Sequence, residues 1–182
     1  MTSAAIIVAA GASRRFGTDM PKQFYPLFGL PVFLWSVLAF KKIREFSQII
    51  LVVPQKYSGS LERYSKKYSF EVVKGGKERF DSVRAGLEKV NTNCRYIAIH
   101  DGARPLVTPE LILRALKNAK RSGASVLAVP ARDTVKLAGA GMKINRTIPR
   151  NTVWLAQTPQ VFKSSIIREA YGKINPYITD DA

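Results

Sequence analysis

The 182-residue sequence holds one cysteine and one histidine, and each scarcity closes off a class of chemistry. Cys94 alone can close no internal disulfide and build no thiolate metal cluster, which is compatible with a reducing compartment. Long apolar runs are missing as well. The nearest thing to a targeting signal, Ala4 to Ala10, is short and has no basic residues before it, so neither a signal peptide nor a membrane span is expected. No Gly/Ser-rich or Pro-rich stretch divides the chain, and 46% apolar composition suffices for a sizeable core, so residues 1–182 read as a single domain. Acidic residues are scarce too, 13 against 29 Lys and Arg, a formal charge of +16. Such a charge suits nucleic acid, an anionic membrane or phosphorylated small molecules. The basic residues come in pairs at most, as in Arg14-Arg15 or Lys120-Arg121, with no basic tail, and solvated helix faces account for most of them.

Apolar runs of strand length alternate with segments of helical period. Residues 4–10, 49–54, 70–73, 96–99 and 125–129 read as strands, and 32–43, 60–68, 81–90 and 109–121 as helices, the last capped by Thr108 before Pro109. This alternation predicts an α/β fold, a mostly parallel sheet with helices on both faces and ligands beyond the carboxyl ends of the strands. From Asp133 to Arg150 the alternation breaks into two short strands around Ala138-Gly139-Ala140-Gly141, a projecting β-hairpin arm. Such an arm packs on a second subunit or folds back as an edge hairpin of its own domain.

Four constellations carry chemistry. Ala9-Ala10-Gly11-Ala12-Ser13-Arg14-Arg15, followed by Pro21-Lys22-Gln23, comes directly after the first strand. Small residues let backbone N–H groups approach a polyphosphate, and Arg15 and Lys22 supply charge for phosphoryl transfer. An ordinary strand-to-helix loop with exposed arginines reads the same residues. Neither the Walker pattern nor the dinucleotide fingerprint is present. Gly75-Gly76 through Ser82 leads from a strand into a helix, where free N–H groups and the Ser82 hydroxyl suit a nucleotide; alternatively Asp81 or Ser82 is a plain cap. His100-Asp101-Gly102-Ala103-Arg104-Pro105 ends the fourth strand and offers Asp101 to Mg²⁺ and Arg104 to a phosphate. His100 is read as structural, since phosphoryl transfer runs on positioning and electrostatics. In the fourth stretch, Thr147 to Arg150, Trp154 to Phe162 and Thr179 to Ala182, threonines and Arg150 hold a phosphate or serve as caps and turns.

Taken in order, Ala9-Ala10-Gly11 with Arg15, Pro21-Lys22-Gln23, Gly76 through Ser82, His100 through Pro105, Asp133-Thr134 and Gln157-Thr158-Pro159-Gln160 closely resemble the methylerythritol phosphate cytidylyltransferase family over nearly the whole chain. Ribitol phosphate cytidylyltransferases are the nearest competitor, but Ala9-Ala10-Gly11, Ser82-Val83 and Gly102-Ala103 favour the isoprenoid enzymes. The resemblance implies a Rossmann-like nucleotidyltransferase fold and a cytoplasmic enzyme, or a plastid-stromal one in a plastid-bearing organism. It implies CTP as substrate, with Ala9, Ala10, Gly11, Gly76, Ser82 and Gly102 around cytosine and ribose, and Arg15 and Lys22 as catalytic residues facing the triphosphate. Asp101 would serve Mg²⁺ or another divalent cation and help order the acceptor, with Arg104, Thr134, Arg150, Thr158 and Thr179 on the sugar-alcohol phosphate side. The arm, residues 133–150, implies a homodimer in which Arg150, and Thr134 with it, acts across subunits. No nucleic acid or membrane is implied, and an RNA-binding protein on a Rossmann-like core is the reading from a different class. Two departures are visible: Ser13 replaces a loop glycine common in the family, and family members continue several dozen residues past Ala182, with a further strand, helix and acceptor-contacting lysine.

Overall fold

In the run Ser3-Ala4-Ala5-Ile6-Ile7-Val8, alternate side chains feed two different cores. Ala5 and Ile7 face Phe33, Leu34, Val37, Phe40, Ile112 and Leu116, while Ala4 and Ile6 face Ile50, Val52, Val83, Leu87 and Ile167. A strand apolar on both faces must be covered twice, and burial of each large side chain contributes about 1.5–3 kcal/mol. The computed structural model describes residues 2–11, 17, 20–173 and 181.

The chain runs through β1 (Ser3–Val8), a small hairpin of β2 (Pro26–Leu27) and β3 (Leu30–Pro31), α1 (Val32–Lys41), β4 (Phe46–Val53), α2 (Glu62–Tyr68), β5 (Glu71–Lys74), α3 (Arg79–Lys89) and β6 (Tyr96–Asp101). It continues with α4 (Pro109–Ser122), β7 (Ala124–Pro130), β8 (Val135–Ala138), β9 (Ile144–Ile148), β10 (Trp154–Lys163) and α5 (Ser164–Lys173). The main sheet has the order β5-β4-β1-β6-β10-β7. β5, β4, β1 and β6 are parallel, and β10 runs antiparallel to both β6 and β7. Helices α1 and α4 cover one face, α3 and α5 the other. From β1 the sheet proceeds to β4 on one side and β6 on the other, so a crevice opens beyond their carboxyl ends.

The expected Thr108 cap is present, its hydroxyl accepting from Leu111 N, and α4 ends at Gly123 with φ +88°. In two places the local structure differs from an alternative the sequence left open. The cap of α3 is neither Asp81 nor Ser82 but Glu78, in a reciprocal box with Asp81, so the helix starts at Arg79. The stretch from Trp154, whose threonines were read either as phosphate holders or as caps and turns, is a ten-residue strand. Pro159 and a register shift between Ala156 and Gln160 interrupt the alternation that would have marked it. The arm forms as anticipated: β8 and β9 pair with each other in their own two-stranded sheet, around Gly141 with φ +71°. Leu137, Met142 and Ile144 along it, and Trp154 and Leu155 beside its base, are exposed.

Candidate active site

The crevice wall is made by backbone. Ala9 N donates to Val52 O at 2.7 Å, Gly75 N to Val53 O at 2.8 Å and Gly102 N to Val8 O at 2.8 Å, carrying the ladder one residue past each strand. Small residues are obligatory where these extensions meet. A Cβ on Gly75 would lie 2.5 Å from Ala10 Cβ and 2.8 Å from Ser82 Oγ, and one on Gly102 would lie 3.1 Å from Ala9 Cβ. Buried Ser82 accepts from Gly76 N at 3.2 Å and donates to Glu78 O at 3.1 Å, which locks the turn onto the first coil of α3. Gln23, also buried, donates through Nε2 to Ala9 O at 2.7 Å and Gly11 O at 2.8 Å. Thus the Pro21-Lys22-Gln23 motif closes the glycine loop, with Lys22 exposed next to that brace. All six residues expected around the nucleotide, Ala9, Ala10, Gly11, Gly76, Ser82 and Gly102, gather at this end of the sheet. Arg15 lies outside the described residues. Gly75 and Gln23 were not singled out as site residues, although both sit inside motifs that sequence reading had marked.

Beyond β6 the chemistry becomes ionic. Arg104 Nε donates to Asp101 Oδ2 at 2.9 Å, Arg79 Nη2 lies 3.3 Å from Asp101 Oδ1, and Arg104 Nη1 also donates to Gln157 Oε1. Burial alone would raise the Asp101 pKa, but the Arg104 hydrogen bond and the Arg79 and Arg104 charges outweigh it and hold the group below the ordinary carboxylate range. Asp101 N donates to Thr158 Oγ1 at 3.2 Å. Thr158 Oγ1 is 3.0 Å from His100 Nδ1, while His100 Nε2 faces Arg104 O at 3.3 Å and Ser36 Oγ at 3.2 Å. Both ring nitrogens are thus engaged, Nδ1 by Thr158 and Nε2 by Arg104 O and Ser36 Oγ. Burial is the main cause lowering the His100 pKa, to about 4. The side chain is therefore a neutral brace under the site at neutral pH.

Asp101, Arg104 and Thr158 come together as expected. Thr134 and Arg150 do not join them: both are exposed at the base of the arm, and Arg150 Nη1 donates to its own chain's Arg132 O at 3.0 Å. Among the described residues neither makes a hydrogen bond or ion pair with the Asp101 cluster. Thr179 lies outside the described residues. Arg79, Gln157 and Asp181 went unnoticed in the sequence as site residues; Arg79 Nη1 donates to Asp181 Oδ2.

The sequence profile described as "IspD: 2-C-methyl-D-erythritol 4-phosphate cytidylyltransferase" matches residues 3–182. The chain belongs to the 2-C-methyl-D-erythritol 4-phosphate cytidylyltransferase family. A relative of that name from Endomicrobium trichonymphae is 46% identical over 185 residues, covering 100% of this chain and 83% of the relative. Another, from Syntrophus aciditrophicus, is 41% identical over 186 residues, with 98% and 80% covered. Among solved structures, the 4-diphosphocytidyl-2C-methyl-D-erythritol synthase of Anaerococcus prevotii superposes with a TM-score of 0.88 at 27% identity, covering 99% of this chain and 80% of that one. The Francisella tularensis family member gives 0.81 at 29% identity, with 100% and 84% covered. The crevice thus has the architecture of a cytidylyltransferase of this family. One side is a backbone cradle with no room for side chains, and the other is a carboxylate held between guanidinium groups. A nucleotide base edge or ribose suits the first, and phosphate oxygens suit the second. No helix among the described residues is long and apolar enough to cross a membrane.

Proposed function

We propose that this chain transfers a cytidylyl group from CTP to 2-C-methyl-D-erythritol 4-phosphate, releasing pyrophosphate, in isoprenoid precursor synthesis. The observation that carries this reading, beside the family membership, is the closeness of the two halves: Gly102, against Ala9, directly follows Asp101. A phosphate oxygen of the acceptor forms the new bond to the α-phosphorus of CTP while the bond from that phosphorus to the bridging oxygen breaks, and pyrophosphate departs with the pair. No side chain becomes covalently attached. The work is orientation and charge compensation, for which positioned donors that need no reorganisation are the largest source of rate.

Lys22 and Arg15 compensate charge growing on the triphosphate as the bond to pyrophosphate lengthens. Ala9, Ala10, Gly11, Gly76, Ser82 and Gly102 hold cytosine and ribose, and a base must fit a cradle already closed to side chains, which selects by shape. Arg104 and Thr158 line the acceptor side together with Thr179. Asp101 is the residue that would hold a divalent cation. Among the described residues there is no group of three or more His, Cys, Asp or Glu. Mg²⁺ does not require one, since it keeps several waters and takes one or two carboxylates with substrate phosphates, and the Asp101 side chain is 31% exposed. When bound, the ion would neutralise phosphate charge during transfer.

The acceptor side is completed by a second copy of the chain. Arg150 and Thr134 stand exposed on an arm whose apolar residues Leu137, Met142 and Ile144 are uncovered, and a hairpin alone is marginal in water. A homodimer covers them and delivers Arg150 to the partner's acceptor phosphate. The enzyme works in the cytoplasm, or in the stroma where its host bears plastids. Pyrophosphate release is the test, run with 2-C-methyl-D-erythritol 4-phosphate and ribitol phosphate in parallel. Release that requires CTP and the first acceptor is expected. Preference for ribitol phosphate would overturn the substrate assignment, and salt-sensitive RNA binding without turnover would overturn the enzyme reading.

A further inference from the structure

Arg79, the first residue of α3, spans two carboxylates that lie 22 and 102 positions away in sequence. Its Nη2 reaches Asp101 Oδ1 at 3.3 Å and its Nη1 donates to Asp181 Oδ2. Asp181 is nearly sealed, with 2% of its side chain exposed, and also accepts from the Tyr171 hydroxyl, whose ring stacks on Phe80 at 4.8 Å. Swinging Arg79 away would leave this buried carboxylate without its ion pair, which is costly. The guanidinium is thereby anchored at one end, and its other end restrains Asp101. Arg104 takes the second oxygen of Asp101, which leaves the carboxylate little freedom to rotate.

The same helix start carries the nucleotide turn. Glu78 and Asp81 cap it reciprocally, and Ser82, three residues after Arg79, accepts from Gly76 N. The turn and the Asp101 carboxylate are thus connected through one residue, Arg79. We propose that Arg79 is a positioning residue of the transfer reaction, a strap anchored on buried Asp181 that fixes the Asp101 carboxylate and couples it to the nucleotide-binding turn. The strap rests on the transfer reading of this site. Lysine reproduces it poorly, because one ammonium lacks the planar fork that reaches two carboxylates in fixed directions.

The experiment uses the full chain with Arg79→Gln, Arg79→Lys, Asp181→Asn and the double variant Arg79→Gln/Asp181→Asn. It measures kcat and KM for both substrates by pyrophosphate release, CTP binding by calorimetry, and Tm. Arg79→Gln is expected to lower kcat about 10–100-fold with CTP affinity held within about 3-fold, the mark of an interaction expressed in the transition state. Arg79→Lys is expected to recover Tm but not kcat. Asp181→Asn is expected to lower kcat about 5–10-fold, and the double variant no further than Arg79→Gln, because Asp181 acts through the arginine. Full kcat in Arg79→Lys, or losses that multiply in the double variant, would overturn the strap. Should Arg79→Gln not fold, an unchanged kcat in Asp181→Asn overturns it alone. Absence of turnover in the unsubstituted chain would overturn the transfer reading and the strap together, an outcome distinct from turnover indifferent to Arg79.

Discussion

On the nucleotide side of the crevice, Ala9, Ser82 and Gly102 are buried and tied by backbone hydrogen bonds, whereas Thr134 and Arg150 stand exposed on an arm whose strands pair only with each other. The first region is finished within one chain. Its geometry follows from close packing around glycines and from hydrogen bonds made within the chain. The second presents apolar and charged side chains that are exposed within one chain. The contrast teaches where, in the proposed function, each half gets its precision: the nucleotide half from the sheet, the acceptor half from the assembly proposed above.

The comparison would break most sharply at Lys22, which stands beside the cradle and, in the proposed function, acts on charge rather than shape. Lys22→Ala is expected to lower kcat about 10²–10³-fold with the fold intact, as loss of one preorganised donor does, and Arg15→Ala is expected to match it. Steady-state kinetics with circular dichroism on both variants would check this, and near-normal kcat in both would remove them from the chemistry.

His100 sharpens the contrast by reporting how dry the preformed half is. Its folded pKa of about 4 lies below the ordinary 6.5, so between those values the unfolded chain binds a proton that the folded chain refuses. That contribution is complete above pH 6.5 and is lost as pH falls towards 4, a change of about 3 kcal/mol. Urea titrations at stepped pH should show it. A flat profile through that window would mean that water reaches the ring.

Arg150 tests the other half. A bidentate, charge-assisted contact to the acceptor phosphate is worth about 2–3 kcal/mol, so Arg150→Ala should raise KM for 2-C-methyl-D-erythritol 4-phosphate about 30–150-fold and leave KM for CTP nearly alone. Equal shifts for both substrates would dissolve the distinction between the halves. The smallest expected effect is at Gly75. A methyl group there meets Ala10 Cβ at 2.5 Å, so Gly75→Ala should cost about 1–3 kcal/mol of stability and weaken CTP binding several-fold. Calorimetric CTP affinity equal to the unsubstituted chain would show that the cradle yields.

Legibility in the sequence follows the same division. Strands buried on both faces announce themselves as continuous apolar runs, and the glycine-rich turns after β1 and β5 stand where backbone must approach a ligand. β10 is hidden because Gln157, Thr158, Pro159 and Gln160 interrupt its apolar pattern and its register shifts between Ala156 and Gln160, though Thr158 and Gln160 are buried. α5 is hidden because Ile167 is its one buried residue among those described, too little for a helical stripe. Arg79 could not be read because both its partners are distant in sequence, and nothing local distinguishes a bridging arginine from a solvated one. Thr134 was named through the family resemblance alone, and Arg150 also as a residue that holds a phosphate or serves a turn. Their environment within one chain gives them no contact with the Asp101 cluster.

The most direct test of the division is complementation between subunits. An Arg150→Ala chain is paired with a Lys22→Ala chain, the heterodimer is isolated, and turnover is measured against each parental homodimer. If Arg150 acts across the interface, one of the two sites carries neither lesion, and turnover should rise towards half that of the unsubstituted dimer. If Arg150 serves its own subunit, each site carries one lesion, and activity in verified heterodimers that stays at the parental level would contradict an acceptor half completed by assembly.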